Sequence, residues 1–262
     1  MTAPLKIGVG GALGRMGRAV TALARERPGL VLAGRFDRAD AVDESGESPP
    51  LSILADVLAA SEVVVDFSTA AASAVLARAA AARRGPALVI GATGLGSAEE
   101  QAIAEAAGAV PIVWSGNYSV GVNVLAGLVE QAARRLPPDV WDIEVLEIHH
   151  RRKVDAPSGT ARLLALAAAR GRGRDLAEIA LAPRDGDTGP RAQGAIGFAS
   201  LRGGGVVGEH SVIFAAEEET LTLSHGARDR ALFARGALEA AVWVVGRPPG
   251  LYDMIDVLGF RD

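Results

Sequence analysis

The residues best suited to chemistry lie in one short segment, residues 149–160, whose sequence is HHRRKVDAPSGT. The segment holds two of the four histidines and one of only two lysines, in a chain with 27 lysines and arginines together. An imidazole titrates near neutral pH, and an ammonium is a compact point charge that can give up a proton, which a guanidinium cannot do. The segment therefore predicts a site for an anionic substrate, such as a carboxylate, with a titratable imidazole beside it.

The end of the same segment predicts the start of a helix. Ser158 is a favourable N-cap, and the backbone amides of Gly159 and Thr160 then point out of the first turn toward any bound anion. The alternative is a solvated basic loop followed by an ordinary cap, because runs of charge are usually solvated. A lysine in a chain that otherwise uses arginine favours the binding site over this alternative.

No metal site is predicted at the two neighbouring histidines. On an extended segment His149 and His150 project to opposite sides, so their rings are poorly placed to chelate one ion. The other two histidines, His210 and His225, stand alone on predicted strands or strand ends. They are interpreted as structural or surface residues.

A glycine-rich turn near the start of the chain predicts a dinucleotide site. Gly11, Gly14 and Gly17 follow a strand and open a helix, where glycine allows a sharp turn and a close approach of backbone amides to a pyrophosphate. Asp37 ends the next strand, about twenty residues further on, where a carboxylate can accept from the adenosine ribose. Arg38 beside it would attract a 2′-phosphate, so the pair predicts use of both NADH and NADPH. The alternatives are a glycine turn that only connects strand and helix, and a solvated acid–base pair.

Two further loops are predicted to line the same crevice. Gly91-Ala92-Thr93-Gly94 and Ser115-Gly116-Asn117-Tyr118 each follow a predicted strand. In an open α/β sheet the ligand crevice lies at the carboxyl ends of the strands, so these loops are expected to form walls for the ribose and nicotinamide.

The first half of the chain predicts an α/β fold of the Rossmann type, with a doubly wound parallel sheet. Short runs of valine, isoleucine and leucine alternate with alanine-rich helical stretches, which is typical of parallel strands covered on both faces. Strands are predicted at 5–10, 30–36, 62–66, 87–90 and 110–114, and helices at 12–27, 70–84 and 97–107.

After Asn117 the pattern changes to that of a second, α+β domain with a mixed or antiparallel sheet. It predicts a helix to about residue 136, a strand at 143–148, a helix at 159–170 and a three-strand meander near 195–201, 206–215 and 219–225. A last helix is predicted at 229–245, followed by a tail segment at 251–258.

Composition excludes several classes of function. The net charge is −4 and the basic residues are scattered, which argues against nucleic acid as a partner. The chain has no cysteine, which excludes disulfides and thiolate catalysis and suits a reducing compartment. Its longest uncharged run, residues 106–129, is interrupted by Pro111, Gly116 and two asparagines, and the first residues lack the pattern of a signal peptide. We therefore expect a cytoplasmic protein that binds neither nucleic acid nor a membrane.

Several motifs, in their order along the chain, resemble one known family. They are GALGRMGRAV at 11–20, DFST at 66–69, GATG at 91–94, NYSVGVN at 117–123, EIHHRRKVDAPSGTA at 147–161, GEHSVIF at 208–214 and GLYDMIDVL at 250–258. The chain resembles the 4-hydroxy-tetrahydrodipicolinate reductase (dihydrodipicolinate reductase) family over nearly its whole length, and the segment 147–161 is the most specific part of the resemblance.

The resemblance implies a reaction, an assembly and a division of the chain. The reaction is the NAD(P)H-dependent reduction of 4-hydroxy-tetrahydrodipicolinate, a cyclic dicarboxylate, to tetrahydrodipicolinate in lysine and diaminopimelate biosynthesis. The assembly is a homotetramer, and no metal is involved. Residues 1–118 and 230–262 would form the dinucleotide-binding domain, and residues 119–229 the domain for substrate binding and tetramerisation.

The resemblance also implies roles for individual residues. His149 and Lys153 would be catalytic, either of them as the proton donor, with Lys153 also pairing a substrate carboxylate. The substrate-binding residues would be His150, Ser158, Gly159 and Thr160. The cofactor-binding residues would be Gly11, Ala12, Leu13, Gly14, Arg15, Met16, Asp37, Arg38, Gly91, Ala92, Thr93, Ser115, Gly116, Asn117 and Tyr118.

Small departures from the family pattern bear on the cofactor and not on the reaction. Ala92 stands where the family often has threonine, and Asp37 is a methylene shorter than the glutamate often found there.

Two other functions remain as alternatives. One is another two-domain NAD(P) oxidoreductase of the homoserine dehydrogenase kind; the other is a binding protein that senses dinucleotides. An acylating semialdehyde dehydrogenase is excluded, because it needs a nucleophilic cysteine.

Overall fold

The computed structural model describes residues 3–181 and 183–261. In chain order its elements are β1 Leu5–Gly10, α1 Arg15–Glu26, β2 Leu30–Phe36, α2 Leu54–Ala60, β3 Val63–Asp66, α3 Ala70–Arg83, β4 Ala87–Ile90, α4 Ser97–Ala107, β5 Pro111–Trp114, α5 Val120–Arg135, β6 Asp142–His149, α6 Gly159–Gly171, α7 Leu176–Ile179, β7 Ile196–Arg202, β8 Gly208–Ala215, β9 Thr220–Ala227, α8 Ala231–Val244, β10 Gly250–Tyr252 and α9 Met254–Val257. They divide into two units: the residues up to Val120 together with those from Ala231 onward, and Gly121–Arg230.

The first unit is built on a six-stranded parallel sheet in the order β10-β5-β4-β3-β1-β2. Every residue of β3 and β4 is buried, which explains why their sequences show unbroken apolar runs and no alternation. The chain leaves β1 for β2 on one side and later returns to β3 on the other side of β1. This reversal of strand order is where open α/β sheets form a ligand crevice.

Helices cover both faces of this sheet, and each face has its own core. Alternate strand residues such as Val63 and Val65 pack with Val20 of α1 and with α8. The residues between them, such as Val64, pack with Leu76 of α3 and with α2 and α4. The doubly wound arrangement that the sequence predicts is thus confirmed.

The second unit contains a four-stranded mixed sheet in the order β7-β6-β8-β9. β7 runs parallel to β6, whereas β8 pairs antiparallel with both β6 and β9. α6 contacts β6, β7 and β8 and buries Leu164, Ala165 and Ala168 completely. The predicted α+β class with a mixed sheet is confirmed.

Three expectations about elements were wrong in detail. The last three strands of the second unit do not form a meander, because the crossover through α6 and α7 returns β7 parallel to β6, on the side away from β8. Of these three strands only β8 and β9 pair with each other. α1 begins at Arg15 and not at Ala12, because Gly11 adopts a positive φ of 63° and opens a turn. The sequence also did not indicate α2, a seven-residue helix with too few turns to show a period.

Candidate active site

The site in the second unit is assembled on one face of its sheet. Side chains of β6 alternate between buried and half-buried, and Val145, Glu147 and His149 belong to the buried set. In the paired strands, His210 of β8 lies opposite Glu147, and Arg202 of β7 lies beside His149. Three strands therefore bring two histidines, a carboxylate and a guanidinium to a single patch.

Glu147 is the charged centre of this patch and is only 1% exposed. Its Oε2 lies 2.5 Å from His149 Nδ1, and its two oxygens receive hydrogen bonds from both terminal nitrogens of Arg202 at 2.8 and 2.9 Å. Burial alone would raise the pKa of this carboxyl. The hydrogen bonds, led by those from Arg202 and His149, outweigh burial and lower the pKa of Glu147 to about 2. The carboxylate is therefore charged at neutral pH.

His210 lies at the same patch and is not isolated, while its interpretation as a structural or surface residue stays a prediction. Its ring stands edge-on to that of His149, with centroids 5.0 Å apart, and its Nε2 lies 3.0 Å from Ser158 Oγ. Burial, followed by the charge of His149, lowers the pKa of His210 to about 4, so this ring is neutral at pH 7. Sequence reasoning missed the contact with Ser158 because the two residues are 52 positions apart, which no local pattern shows.

Ser158 caps α6 as predicted and joins the helix to the patch. Its Oγ accepts from the amide of Ala161 at 3.1 Å, and its own amide donates to Glu147 Oε1 at 3.2 Å. The amides of Gly159 and Thr160 lie in the same first turn, whose amides point out of the helix at its N-terminus. Apart from its chain neighbours and its own helix, no atom of the described residues comes within 4 Å of the position that a Cβ on Gly159 would take, so the backbone there is open to a ligand.

Lys153 and His150 lie in the loop between β6 and α6. Lys153 Nζ binds both carboxylate oxygens of Asp155, at 2.8 and 2.9 Å, and the hydrogen bond from Lys153 lowers the pKa of Asp155. Burial and the charge of Arg152 lower the pKa of His150. The structure therefore joins His149 to Ser158 through Glu147, while Lys153 is held by a carboxylate of its own loop.

The glycine turn of the first unit has the geometry that the sequence predicts. A Cβ on Gly17 would lie 2.1 Å from the carbonyl oxygen of Gly11, so only glycine permits this approach of α1 to the turn. Gly14 precedes α1, and none of the described side chains caps that helix end. Asp37 joins the turn, because its Oδ2 accepts from the amide of Leu13 at 2.8 Å. Two segments predicted to bind the cofactor are thus in direct contact.

The loop after β3 also belongs to the region of the glycine turn, although the sequence analysis did not assign it to the cofactor site. A Cβ on Gly11 would lie 2.9 Å from the backbone of Phe67 and Ser68, and a Cβ on Gly91 would lie 2.2 Å from the Phe67 ring. The DFST segment therefore lies between the glycine turn and the loop of Gly91, Ala92 and Thr93. Its position at the end of a buried strand was the available signal.

The loop after β5 is held by its own hydrogen bonds. Ser115 Oγ donates to the carbonyl of Asn117 at 2.9 Å, and the side chain of Asn117 accepts from the amide of Ser119 at 2.8 Å. The side chain of Tyr118 is buried, and its hydroxyl bridges the carbonyls of Ile90 and Val113, which joins β4 to β5. The predicted contact of Tyr118 with the cofactor would therefore have to come from its backbone atoms. Gly116 has open space around its Cα.

Within residues 3–181 and 183–261, no group of three or more histidine, aspartate or glutamate side chains is arranged to hold a metal ion. Over the same ranges, no helix combines the length and the apolar character that a membrane span requires.

The first unit is a doubly wound sheet with a glycine turn at its switch point, and the second carries a histidine–carboxylate pair beside a helix start. Together these features define a class of protein, the two-unit oxidoreductases that use a nicotinamide dinucleotide. The family models "Dihydrodipicolinate reductase, N-terminus" and "Dihydrodipicolinate reductase, C-terminus" match residues 5–118 and 121–258. The chain therefore belongs to the dihydrodipicolinate reductase family.

Relatives of known name agree with this assignment. The chain is 58% identical over 261 residues to the 4-hydroxy-tetrahydrodipicolinate reductase of Caulobacter vibrioides, covering 100% of both chains. It is 52% identical to the enzyme of the same name from Rhizobium rhizogenes, covering 97% of each. Its fold is similar to that of a dipicolinate-bound dihydrodipicolinate reductase from Paenisporosarcina sp. TG-14, with a TM-score of 0.77, 22% identity, and coverage of 97% of this chain and 98% of that one.

The family assignment confirms the function that the motifs predict. The protein is an oxidoreductase that reduces 4-hydroxy-tetrahydrodipicolinate with a nicotinamide cofactor, a step of lysine and diaminopimelate biosynthesis. Neither the homoserine dehydrogenase alternative nor the dinucleotide-sensing alternative accounts for a match along both halves of the chain.

Proposed function

We propose that this reduction uses either NADH or NADPH, that His149 or Lys153 supplies the proton, and that Lys153 and the start of α6 hold the two carboxylates of the substrate. The observation that carries the proposal is the position of His149. Its ring is buried, with Nδ1 engaged by a carboxylate, and it is linked through Glu147 to the helix start at Ser158. An imidazole and an anion-binding helix end are thus held together as one group.

The proposed substrate contacts follow from charge and backbone geometry. Lys153 is held by both oxygens of Asp155, and a substrate carboxylate is the same kind of partner for its ammonium. The amides of Gly159 and Thr160, at the N-terminal end of the α6 dipole, suit the second carboxylate, and His150 stands beside the loop as a further contact. The similar solved reductase has dipicolinate bound, a ring with two carboxylates, which supports a cyclic dicarboxylate here.

The first unit fits a dinucleotide. The N-terminus of α1 has a glycine N-cap and, among the described residues, no capping side chain, so the amides of Arg15 and Met16 in its first turn suit a pyrophosphate. Asp37 and Arg38 would contact the adenosine ribose, and the loops at 91–93 and 115–118 the nicotinamide side. When bound, the cofactor supplies the hydride. Because Asp37 favours a free 2′-hydroxyl and Arg38 a 2′-phosphate, we infer that both forms are used.

The protein's own part of the reaction is to orient the ring and deliver a proton. The reduction adds a hydride and a proton to the substrate and releases the 4-hydroxyl as water. His149, with Nδ1 donating to Glu147, presents Nε2 as the nitrogen that can carry the transferred proton. General-acid catalysis of this kind typically contributes roughly 10²- to 10⁴-fold to the rate.

We further propose a division of labour and an assembly. Residues 1–118 and 230–262 bind the dinucleotide, and residues 119–229 bind the substrate and form a homotetramer that acts in the cytoplasm. The second sheet supports the assembly, because the face opposite α6 carries half-buried Leu146, Ile148 and Ile213 and the half-exposed Leu201.

The test is oxidation of NADH and NADPH, followed by nicotinamide absorbance, with substrate formed in situ from pyruvate and aspartate semialdehyde by a synthase. His149→Gln and Lys153→Ala are each expected to lower kcat by about 10²-fold or more, because each removes a group proposed to orient or protonate the substrate. Dinucleotide binding, measured by fluorescence titration, should remain unchanged.

The two lysines provide a matched control for this test. Lys6→Ala removes the only other lysine, which lies on β1, and should leave the rate at its normal value. Normal turnover in Lys153→Ala or His149→Gln, or a loss of dinucleotide binding with normal turnover at saturating cofactor, would contradict the proposed roles.

A further inference from the structure

Both carboxylate oxygens of Glu147 accept two hydrogen bonds each. Oε2 accepts from His149 Nδ1 at 2.5 Å and from Arg202 Nη1 at 2.8 Å, and Oε1 accepts from Arg202 Nη2 at 2.9 Å and from the Ser158 amide at 3.2 Å. A carboxylate with two oxygens offers about four acceptor positions, and these four donors match that number; a hydrogen bond from the Ser200 side chain also lowers the pKa of Glu147. A buried charge paired this fully has one position and one orientation.

We propose that Glu147 is a positioning residue for the reduction: it fixes the tautomer and orientation of His149 and ties that ring to the start of α6. The inference rests on the proposed role of His149 as a proton donor and deepens it. Arg202 extends the same link to the loop of Lys153, because its Nη2 also donates to the carbonyl of Asp155 at 2.7 Å. One carboxylate thus connects the imidazole, the helix start and the loop that carries the lysine.

The geometry decides which nitrogen of His149 can react. A charged carboxylate can only accept, so Nδ1 carries a hydrogen in both the neutral and the charged ring, and Nε2 is the nitrogen that gains and loses the transferred proton. Space beside Nε2 depends on Gly208, since a Cβ there would lie 3.0 Å from that nitrogen. The carboxylate of Glu147 therefore occupies Nδ1 of His149, and the lack of a side chain at Gly208 leaves space beside Nε2, the nitrogen that donates the proton.

The titratable and charged groups around His149 lie on three strands and on the adjoining loop. Glu147 is the negative group on β6, Arg202 is the positive group on β7, and His210 on β8 is neutral because of its lowered pKa. In the adjoining loop Lys153 is paired with Asp155. Glu147 is thus the carboxylate in contact with the ring.

The experiment compares Glu147→Gln with a matched control on the same strand. Glu144 is also a carboxylate bound by two arginines, Arg184 at 2.6 Å and Arg191 at 3.0 Å, but its side chain belongs to the alternate, half-buried set of β6. Glu144→Gln therefore removes the same kind of charge and the same kind of ion pair without touching His149. Thermal unfolding and dinucleotide titration establish that each variant is folded.

The expected result separates positioning from general destabilisation. In Glu147→Gln, kcat falls at least about tenfold while the KM for the dinucleotide stays the same, because an incorrect tautomer of a catalytic histidine is costly. Glu147→Asp retains the charge and should restore part of the lost kcat. Glu144→Gln should leave kcat unchanged.

A measurement on the unaltered enzyme keeps the inference testable even if Glu147→Gln does not fold. Nitrogen-15 NMR of the histidine side chains, assigned with His149→Gln, is expected to show the Nδ1–H tautomer for the neutral His149 ring. An Nε2–H tautomer, or a kcat of folded Glu147→Gln that matches the control, would overturn the inference. Full activity in His149→Gln would instead overturn the role proposed for His149 itself, so the two failures are distinguishable.

Discussion

Asp37 illustrates how one carboxylate serves both structure and selectivity. Its Oδ2 accepts from the Leu13 amide of the glycine turn at 2.8 Å, and its Oδ1 accepts from the Arg38 amide at 2.9 Å. The side chain of Arg38 is largely exposed and pairs with the similarly exposed Asp40. The carboxylate is therefore fixed, whereas the guanidinium is free to turn toward a 2′-phosphate.

This difference leads to a prediction about cofactor choice. Asp37→Ala removes the group that repels a 2′-phosphate and leaves Arg38 in place, so the preference should move toward NADPH by roughly tenfold in kcat/KM, about 1.4 kcal/mol. The measurement is steady-state kinetics with each cofactor. Glu44→Ala removes an exposed carboxylate of the same loop and controls for net charge. An unchanged ratio in Asp37→Ala would mean that this carboxylate does not read the ribose.

At the scale of elements, the segment between β2 and α2 depends on a single buried arginine. Arg35, 1% exposed, donates to Asp43 at 2.5 Å, to Glu47 at 2.7 Å and to the carbonyl of Pro49 at 2.8 Å. Asp43 is held in turn by hydrogen bonds from Ser45, which together with Arg35 lower its pKa. The segment that follows Asp37 and Arg38 is therefore held to the sheet edge by these polar contacts, together with Leu51, which packs against the apolar core.

Arg35→Met is expected to loosen this segment. The substitution fills a similar volume but leaves Asp43 and the Pro49 carbonyl without their donor, so the free energy of unfolding should fall by about 1–3 kcal/mol. Denaturant unfolding measures the loss, and limited proteolysis should cut first between residues 38 and 52. Arg25→Met is the matched control, because Arg25 also contacts Glu47 and the Ser48 carbonyl but is 36% exposed. Equal losses in the two variants would count against a special role for the buried arginine.

For the whole molecule, the face of the second sheet opposite α6 bears on the proposed assembly. Leu201 is 50% exposed there, next to Ile148 in the register of β6 and β7. An exposed apolar surface on a sheet is costly in water and is relieved when a second copy covers it. This surface is the proposed tetramer contact.

The prediction is a mass of four chains of 26.8 kDa in sedimentation analysis, with dissociation in Leu201→Asp. A charge in a buried interface lacks a partner and opposes association. Leu166→Asp on α6 is the control, since Leu166 is 45% exposed in the same unit. A monomeric unaltered protein, or a Leu201→Asp variant that still sediments as four chains, would contradict the proposal.

The sequence by itself determined most of the architecture and the family. Continuous Val, Ile and Leu runs such as Val63–Asp66 can only be strands buried on both faces, and glycines at positions 11, 14 and 17 suit only a tight strand-to-helix turn. Local signals also located His149, Lys153 and the cap at Ser158. Each of these depends on residues within one or two turns of each other, which is the range that a sequence pattern records.

Only the tertiary structure decided which distant residues complete the site. Arg202 reaches Glu147 across 55 positions of the chain and His210 reaches Ser158 across 52, because β7 and β8 pair with opposite edges of β6. The choice between a meander and a crossover depends on how α6 packs on the sheet, and no local propensity specifies that packing. The segment that carries the chemistry is therefore visible in the sequence, while the pairing of β7 and β8 with β6 brings Arg202 and His210 to it.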